Sequence, residues 1–249
     1  MTNVVQVLVG LVVVLISLVL ILVLAMLQRR VKPTFRNIPA YSKLQRAIGY
    51  VVENGKRLHF SLGSAGIATS QSASAISGLI LLRHLAEMTS AGDKPPIATS
   101  GDSGLTILSQ DALLGASHSS ARVRFDPTRG RLSGLTPFSY AAGAIMDMRD
   151  ENVSANVLVG HFGAEAALLA DAAERENAFL IAGSENLTAQ ALFYAGAREA
   201  LIGEELFASG AYADSLPIHK SSLAVQDILR WIIIGSIILG AILIMTGLL

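Results

Sequence analysis

All 38 charged side chains of this 249-residue chain lie between Arg29 and Arg230. Both ends are long uncharged apolar runs. Residues 4–27 are apolar apart from Gln6 and Ser17. As a helix these residues reach about 36 Å, enough to cross a bilayer with some tilt. Residues 231–249 form a second run, which reaches about 28 Å. Trp231 stands at its start, where an interfacial aromatic belongs. The expected architecture is one N-terminal and one C-terminal transmembrane helix enclosing a domain. A cleaved signal peptide fits the first run less well. The run is long, no basic stretch precedes it, and no small-x-small site follows.

The basic residues set an expected orientation. Arg29, Arg30, Lys32 and Arg36 follow the first run, and Lys220 and Arg230 precede the second. By the positive-inside rule residues 28–230 are cytoplasmic and both termini are on the outer side. Ser236, Gly240 and Gly247 share a face of the second span, and Gly10 and Ser17 lie seven apart in the first. Small faces let membrane helices approach closely, although glycine is also common in such helices.

The enclosed segment alternates helical and extended patterns. A linker with Pro33 and Pro39 covers residues 28–40, and an α/β domain covers 41–214, followed by a juxtamembrane segment over 215–230. Helices are predicted over 42–54, 72–88, 105–117, 138–149, 164–177 and 187–207. Strands are predicted over 58–62, 97–100, 156–159 and 178–182. Residues 122–135, with Asp126-Pro127 and Arg129-Gly130, predict a β-hairpin or irregular insert. Strands alternating with helices make βαβ units, so the fold class is α/β, a Rossmann-like parallel sheet flanked by helices. Residues 76–82, ISGLILL, are apolar on nearly every side, which marks a packed central helix first and a subunit interface second. Ala191, Ala195, Ile202 and Leu206 are expected on one stripe of the last helix.

The domain echoes itself. Pro39, Glu53 and Asn54 recur as Pro137, Glu151 and Asn152. Gly101, Leu105 and Thr106 recur as Gly183, Leu187 and Thr188. Repeats over 39–121 and 137–212 are one reading, and shared α/β spacing is the other. Residues 28–130 carry 13 basic and 6 acidic groups, and residues 131–230 the reverse. This asymmetry points to head-to-tail contacts between copies, to an acidic face turned from anionic lipid, or to solvated surface.

In parallel sheets of this kind ligands bind beyond the C-terminal ends of the strands. The four predicted strand ends read SLGSAG, TSGDSG, GHFGAE and AGSEN. The candidate binding residues are Gly63, Ser64, Gly66, Ser100, Gly101, Asp102, Ser103, His161, Gly163, Glu165, Gly183, Ser184 and Glu185. Helix N-termini beside such turns suit a phosphorylated or nucleotide-like ligand. Turn and capping chemistry demands the same residue types. Neither a phosphate-loop signature nor a G-x-G-x-x-G with a following acid is present.

No catalytic set is assembled. His161 and Glu165, four apart at a helix start, offer two metal ligands without a third, so no metal is assigned. Ser100 with Asp102 and Ser184 with Glu185 lack a positioned base. Charged residues are 15% and mean hydropathy is +0.53, which excludes a disordered chain. The absence of cysteine excludes disulfide and thiolate chemistry. Balanced charge argues against nucleic acid, and Arg122, Arg124, Arg129 and Arg131 fit a hairpin facing solvent or lipid headgroups equally well.

The stretch GHFGAEAALLADAAERENAFLIAGSENLTAQALFYAGAREALIGEELFASGAY, residues 160–212, together with the terminal span, resembles an uncharacterised bacterial family of membrane-anchored α/β proteins, a domain of unknown function between two spans. The likeness weakens over residues 1–57. It implies an α/β domain at a membrane and transfers no reaction. The leading expectation is a non-enzymatic scaffold or subunit of a homo-oligomeric or mixed membrane assembly, with the bilayer and other membrane proteins as partners. The alternative is binding or turnover of a phosphorylated or nucleotide-like ligand at the C-terminal sheet edge.

Overall fold

The structure, a computed structural model, describes residues 2–27, 36–89, 92–118, 125–213 and 217–246. It divides into two compact units, Met1–Arg36 with Ser215–Leu249, and Asn37–Asp214.

The first unit holds two helices, α1 (Thr2–Leu27) and α9 (Pro217–Met245). Two stretches within them, Gln6–Leu27 and His219–Met245, are long and apolar enough to cross a membrane. The second helix begins well before Trp231, so residues 217–230 continue the apolar stretch as helix. A Cβ added at Gly10, Gly235 or Gly240 would meet nothing within 4 Å. Ser17 Oγ donates to Val13 O at 2.7 Å, and Ser236 Oγ to Ile232 O at 2.5 Å. Each hydroxyl thus satisfies itself on its own helix. Gly247 lies outside the described residues.

The second unit is a helix-flanked sheet. In chain order it runs α2 (Pro39–Glu53), β1 (Arg57–Gly63), α3 (Ser72–Thr89), β2 (Ile97–Ser100), α4 (Ser103–His118), β3 (Gly130–Leu132), α5 (Pro137–Asp150), β4 (Val153–His161), α6 (Ala166–Arg175), β5 (Phe179–Gly183), α7 (Leu187–Gly196), β6 (Glu199–Leu201) and the short α8 (Ser209–Ala213). All six strands are parallel, in the order β3-β2-β1-β4-β5-β6. Chain order reverses between β1 and β4, and each half repeats helix–strand three times.

Local chemistry explains most boundaries. Pro39 and Pro137 open α2 and α5, where the missing N–H costs nothing. Thr136 and Ser139 form a capping box on α5. Gly55 after α2, Asn152 after α5 and Asn177 after α6 take positive φ, a conformation glycine and asparagine tolerate at helix ends.

The two sheet faces are covered separately. Tyr140, Ala144, Phe162, Leu169 and Phe193 pack with Leu158, Leu180 and Ala182 under α5, α6 and α7. Phe162 meets Phe193 edge-on, with centroids 5.4 Å apart. The other face carries α2, α3, α4 and α8. There Gly78 lets α3 press onto the sheet, since a Cβ would lie 2.4 Å from Val159 O. The 76–82 stretch is this packed helix, with Ser77, Gly78, Leu81 and Leu82 buried and Ile76 exposed.

Two expectations change. Residues 122–135 form no hairpin within their described part. A 3-10 turn, Pro127–Arg129, leads into β3, which runs parallel beside β2. The predicted helix over 187–207 breaks after Gly196 into β6 and a 3-10 turn, Gly203–Leu206. Ala191, Ala195, Ile202 and Leu206 therefore share no stripe. The sequence of that segment is rich in helix formers, but pairing with β5 at Ile181–Glu199, Ala182–Ala200 and Gly183–Leu201 outweighs local propensity.

Two ion pairs join the oppositely charged halves, Arg57 with Glu151 and Lys43 with Glu199. Within the second half Arg131 pairs with both Asp147 and Glu151. Arg131 is thus committed to α5 rather than turned to solvent or lipid. Arg122 and Arg124 lie outside the described residues.

Candidate functional site

The strand ends are stitched into one continuous edge. Ser64 N donates to His161 O at 3.0 Å, Gly101 N to Gly63 O at 2.9 Å, and Ser133 N to Ser100 O at 3.1 Å. The turns after β3, β2, β1 and β4 thus lie side by side. β1 and β4 approach so closely there that side chains are excluded. A Cβ at Gly63 would fall 2.2 Å from His161 O, and one at Gly160 would fall 2.0 Å from Leu62 O. Gly63 also has φ +79. From this point β1 leads to α3 on one face and β4 leads to α6 on the other, the arrangement that opens a crevice in doubly wound sheets.

Three carboxylates stand along this edge. Asp102 Oδ1 accepts from Leu105 N at 2.8 Å and so caps α4. Its Oδ2 sits where a side chain at Gly66 would fall, 2.9 Å from the ideal Cβ position. Glu165, 2% exposed, accepts from Gly163 N at 2.8 Å and from Ser64 Oγ at 3.5 Å, both at Oε1. Its Oε2 lies over Gly163, 2.8 Å from the ideal Cβ position. Glu185 Oε1 pairs with His161 Nδ1 at 2.6 Å, and its Oε2 is buried with no hydrogen-bond partner.

His161 is the last residue of β4 and reaches across to the turn after β5, whereas Glu165 folds back onto its own turn. The expected shared helix face for His161 and Glu165 is therefore not what forms. Among the described residues, no group of three His, Asp or Glu side chains is placed to hold a metal ion.

The serines divide. Ser100 is buried, joined to Thr106 Oγ1 at 2.6 Å and to Asp102 O at 3.0 Å. Ser184 is buried and accepts from Phe162 N at 3.1 Å and Asn186 N at 3.3 Å. Both hold turns together. Ser103 is exposed at the start of α4, and Ser64 is half-buried beside Glu165. Gly183 leaves room for Leu201 and Leu206 behind the edge. Gly101 lets the second turn approach Ser64, whose Cα would be 2.9 Å from a Cβ there.

A buried polar chain, unforeseen in the sequence, runs beneath the edge. His59 Nδ1 meets Asn156 Oδ1 at 2.9 Å, and Nε2 meets Thr99 Oγ1 at 2.9 Å. Thr99 Oγ1 is 3.5 Å from Tyr140 Oη, which also bonds Ser61 Oγ and accepts from Gly63 N at 3.3 Å. Asn156 Oδ1 accepts, so Nδ1 carries the proton of a neutral His59 and the Thr99 hydroxyl donates to Nε2. Burial holds the His59 pKa down at about 4, against the opposing hydrogen bond from Asn156. Burial likewise raises the Tyr140 phenol. The signal was legible only as polar residues at alternate positions, 59 and 61, inside a buried strand.

These features define the class: an all-parallel α/β domain of Rossmann-like strand order, in a chain whose terminal helices are long and apolar enough to span a membrane. The chain belongs to the family described as Domain of unknown function (DUF6754), whose model matches residues 1–248. No curated protein and no solved structure matches it.

Proposed function

We propose that this chain is a membrane-anchored binding protein that takes a small polar molecule at the C-terminal edge of its sheet. The observation carrying this reading is the order β3-β2-β1-β4-β5-β6, whose reversal point coincides with the Gly63 and Gly160 turns, beside Glu165 and between the turns that carry Asp102 and Glu185. A nucleotide-like molecule has a length comparable to the span from the Asp102 turn to the Glu185 turn. These turns follow β2 and β5, three strand spacings apart, about 14 Å.

The two apolar helices anchor the domain, and residues 28–230 face the cytoplasm, as the basic flanks at Arg29, Arg30, Lys32, Arg36, Lys220 and Arg230 favour. Self-association through the spans is a second reading. Its support is that Gly10 and Gly240 meet no neighbouring atoms, which leaves small surfaces free for another copy or another membrane protein.

Native mass spectrometry of the full-length protein released from nanodiscs tests both. A stable small-molecule adduct that Glu165→Gln abolishes supports binding. A homo-oligomer or mixed complex carrying no adduct overturns it in favour of a scaffold.

A further inference from the structure

Resting on the binding reading above, we propose that the same edge carries a general base and hydrolyses an uncharged acyl ester of a polar alcohol, such as a sugar or nucleoside. The base is His161, and Glu185 is its positioning residue. Read along the chain, Glu185 has no base beside it. The fold supplies one from the end of the neighbouring strand, β4.

The pair is arranged for proton transfer. Glu185 Oε1 lies 2.6 Å from His161 Nδ1. An ionised carboxylate only accepts, so in the neutral ring the proton sits on Nδ1 and the lone pair on Nε2. Glu185 Oε2 is buried without a partner, which leaves the imidazole as the hydrogen-bond partner of this carboxylate among the described residues. The buried side-chain atoms that lack a partner are Arg57 Nε, Ser154 Oγ, Asn156 Nδ2 and Glu185 Oε2. His161 Nε2 is not one of them, and no described residue bonds to it, so its lone pair opens to solvent from a side chain 25% exposed.

Both side chains stand on locked backbone. His161 O accepts from Ser64 N at 3.0 Å, and bare Gly63 packs against the same peptide group. The buried Ser184 Oγ accepts from Phe162 N and Asn186 N, the residues that follow His161 and Glu185. One hydroxyl thus ties the two turns together and fixes how the pair meets. A carboxylate-oriented imidazole with an open nitrogen, beside the reversal point of a doubly wound sheet, is a positioned general base.

The reaction balances with water as the second reactant. Nε2 takes a proton from water as the water oxygen bonds to the acyl carbon. Glu185 holds the resulting imidazolium through Nδ1–H. When the tetrahedral carbon collapses, the ester C–O bond breaks and Nε2 returns the proton to the departing alkoxide. A carboxylic acid and an alcohol leave, and nothing is oxidised or reduced. The surroundings favour an uncharged substrate. Segments 61–72, 100–107, 133–139, 160–168 and 182–188 contain no lysine or arginine to hold an anionic group, and Asp102 and Glu165 stand on the same edge.

The test uses the full-length protein in nanodiscs, with p-nitrophenyl acetate as the uncharged probe and p-nitrophenyl phosphate as the anionic one. The acetate is expected to turn over with saturation and the phosphate is not. His161→Ala should lower kcat/KM by at least about a hundredfold, and added imidazole should restore part of the rate. Rescue needs a folded variant, so it separates chemistry from stability. Glu185→Gln should lower kcat by about tenfold or more with KM nearly unchanged, and should alter the pH profile. His84→Ala, on α3, should match wild type, which separates this site from general imidazole reactivity. Turnover unaffected by His161→Ala, or a preference for the phosphate, overturns the proposal. If turnover is absent but native mass spectrometry still finds an adduct that Glu165→Gln abolishes, this proposal falls and the binding reading stands. If both are absent, both fall.

Discussion

Acidification should weaken the domain through His59 before most carboxylates titrate. In the fold His59 is fully buried, bonded through both ring nitrogens, and its pKa lies near 4 against 6.5 for a free histidine. Below pH 6.5 the unfolded chain therefore holds more protons than the folded one, so stability falls as pH falls. The loss grows until pH 4, where folded His59 also takes up its proton. The gap of about 2.5 between the pKa values corresponds to about 3 kcal/mol in full, of which about 2 kcal/mol is lost between pH 7 and pH 5. Arg131 on β3 opposes protonation and Asp147 on α5 favours it, both smaller than the effect of burial. The assay is urea unfolding of the full-length protein in detergent, followed by circular dichroism at pH 7 and 5. His59→Gln keeps an amide for Asn156 and Thr99 but removes the titration. Wild type should lose about 2 kcal/mol more than the variant over this interval. Equal pH dependence in the two proteins would refute the buried neutral histidine.

Three further outcomes are expected in the same preparation. Gly160→Ala should lower stability by about 1–3 kcal/mol in urea unfolding, because the new Cβ would meet the Leu62 carbonyl backbone rather than a side chain that could yield. Arg131→Met should cost about 1–3 kcal/mol, since it leaves Asp147 without its ion-pair partner near Glu151, which keeps only Arg57; adding salt should recover part of the loss, as a midpoint shift will show. Because the chain has no cysteine, Ala73→Cys on an exposed face of α3 provides a single label site, and an impermeant maleimide should reach it only after cells are permeabilised. Labelling of intact cells would reverse the proposed orientation.

What could be read without coordinates follows from how strongly each segment signals by itself. β2 over Ile97–Ser100 is bracketed by Pro95-Pro96 and Gly101, and α3 over Ser72–Thr89 contains the largely apolar stretch 76–82, and both fold where the pattern places them. β3 and β6 have three residues each, too few for any periodicity, and their pairing is supplied by β2 and β5 across the sheet. Asp102, Glu165 and Glu185 were legible as turn residues. Their partners were not: spacing links His161 to Glu165, whereas the fold brings in Glu185 from the turn after the neighbouring strand. Tyr140 reaches beneath the turns from a helix that looks ordinary in the sequence, and only tertiary packing aims its hydroxyl at Gly63 N.

The brevity of β3 and β6 has a consequence for life in crowded surroundings. An open parallel sheet exposes two borders of unpaired backbone, the standard template for runaway strand addition. Here each border offers only three residues, and the outer carbonyl of Gly130 is already occupied by Gln110 Nε2 at 2.9 Å. A visiting strand would find almost nothing to zip onto. Copies held at high local concentration can therefore collide often without fusing their sheets through these borders.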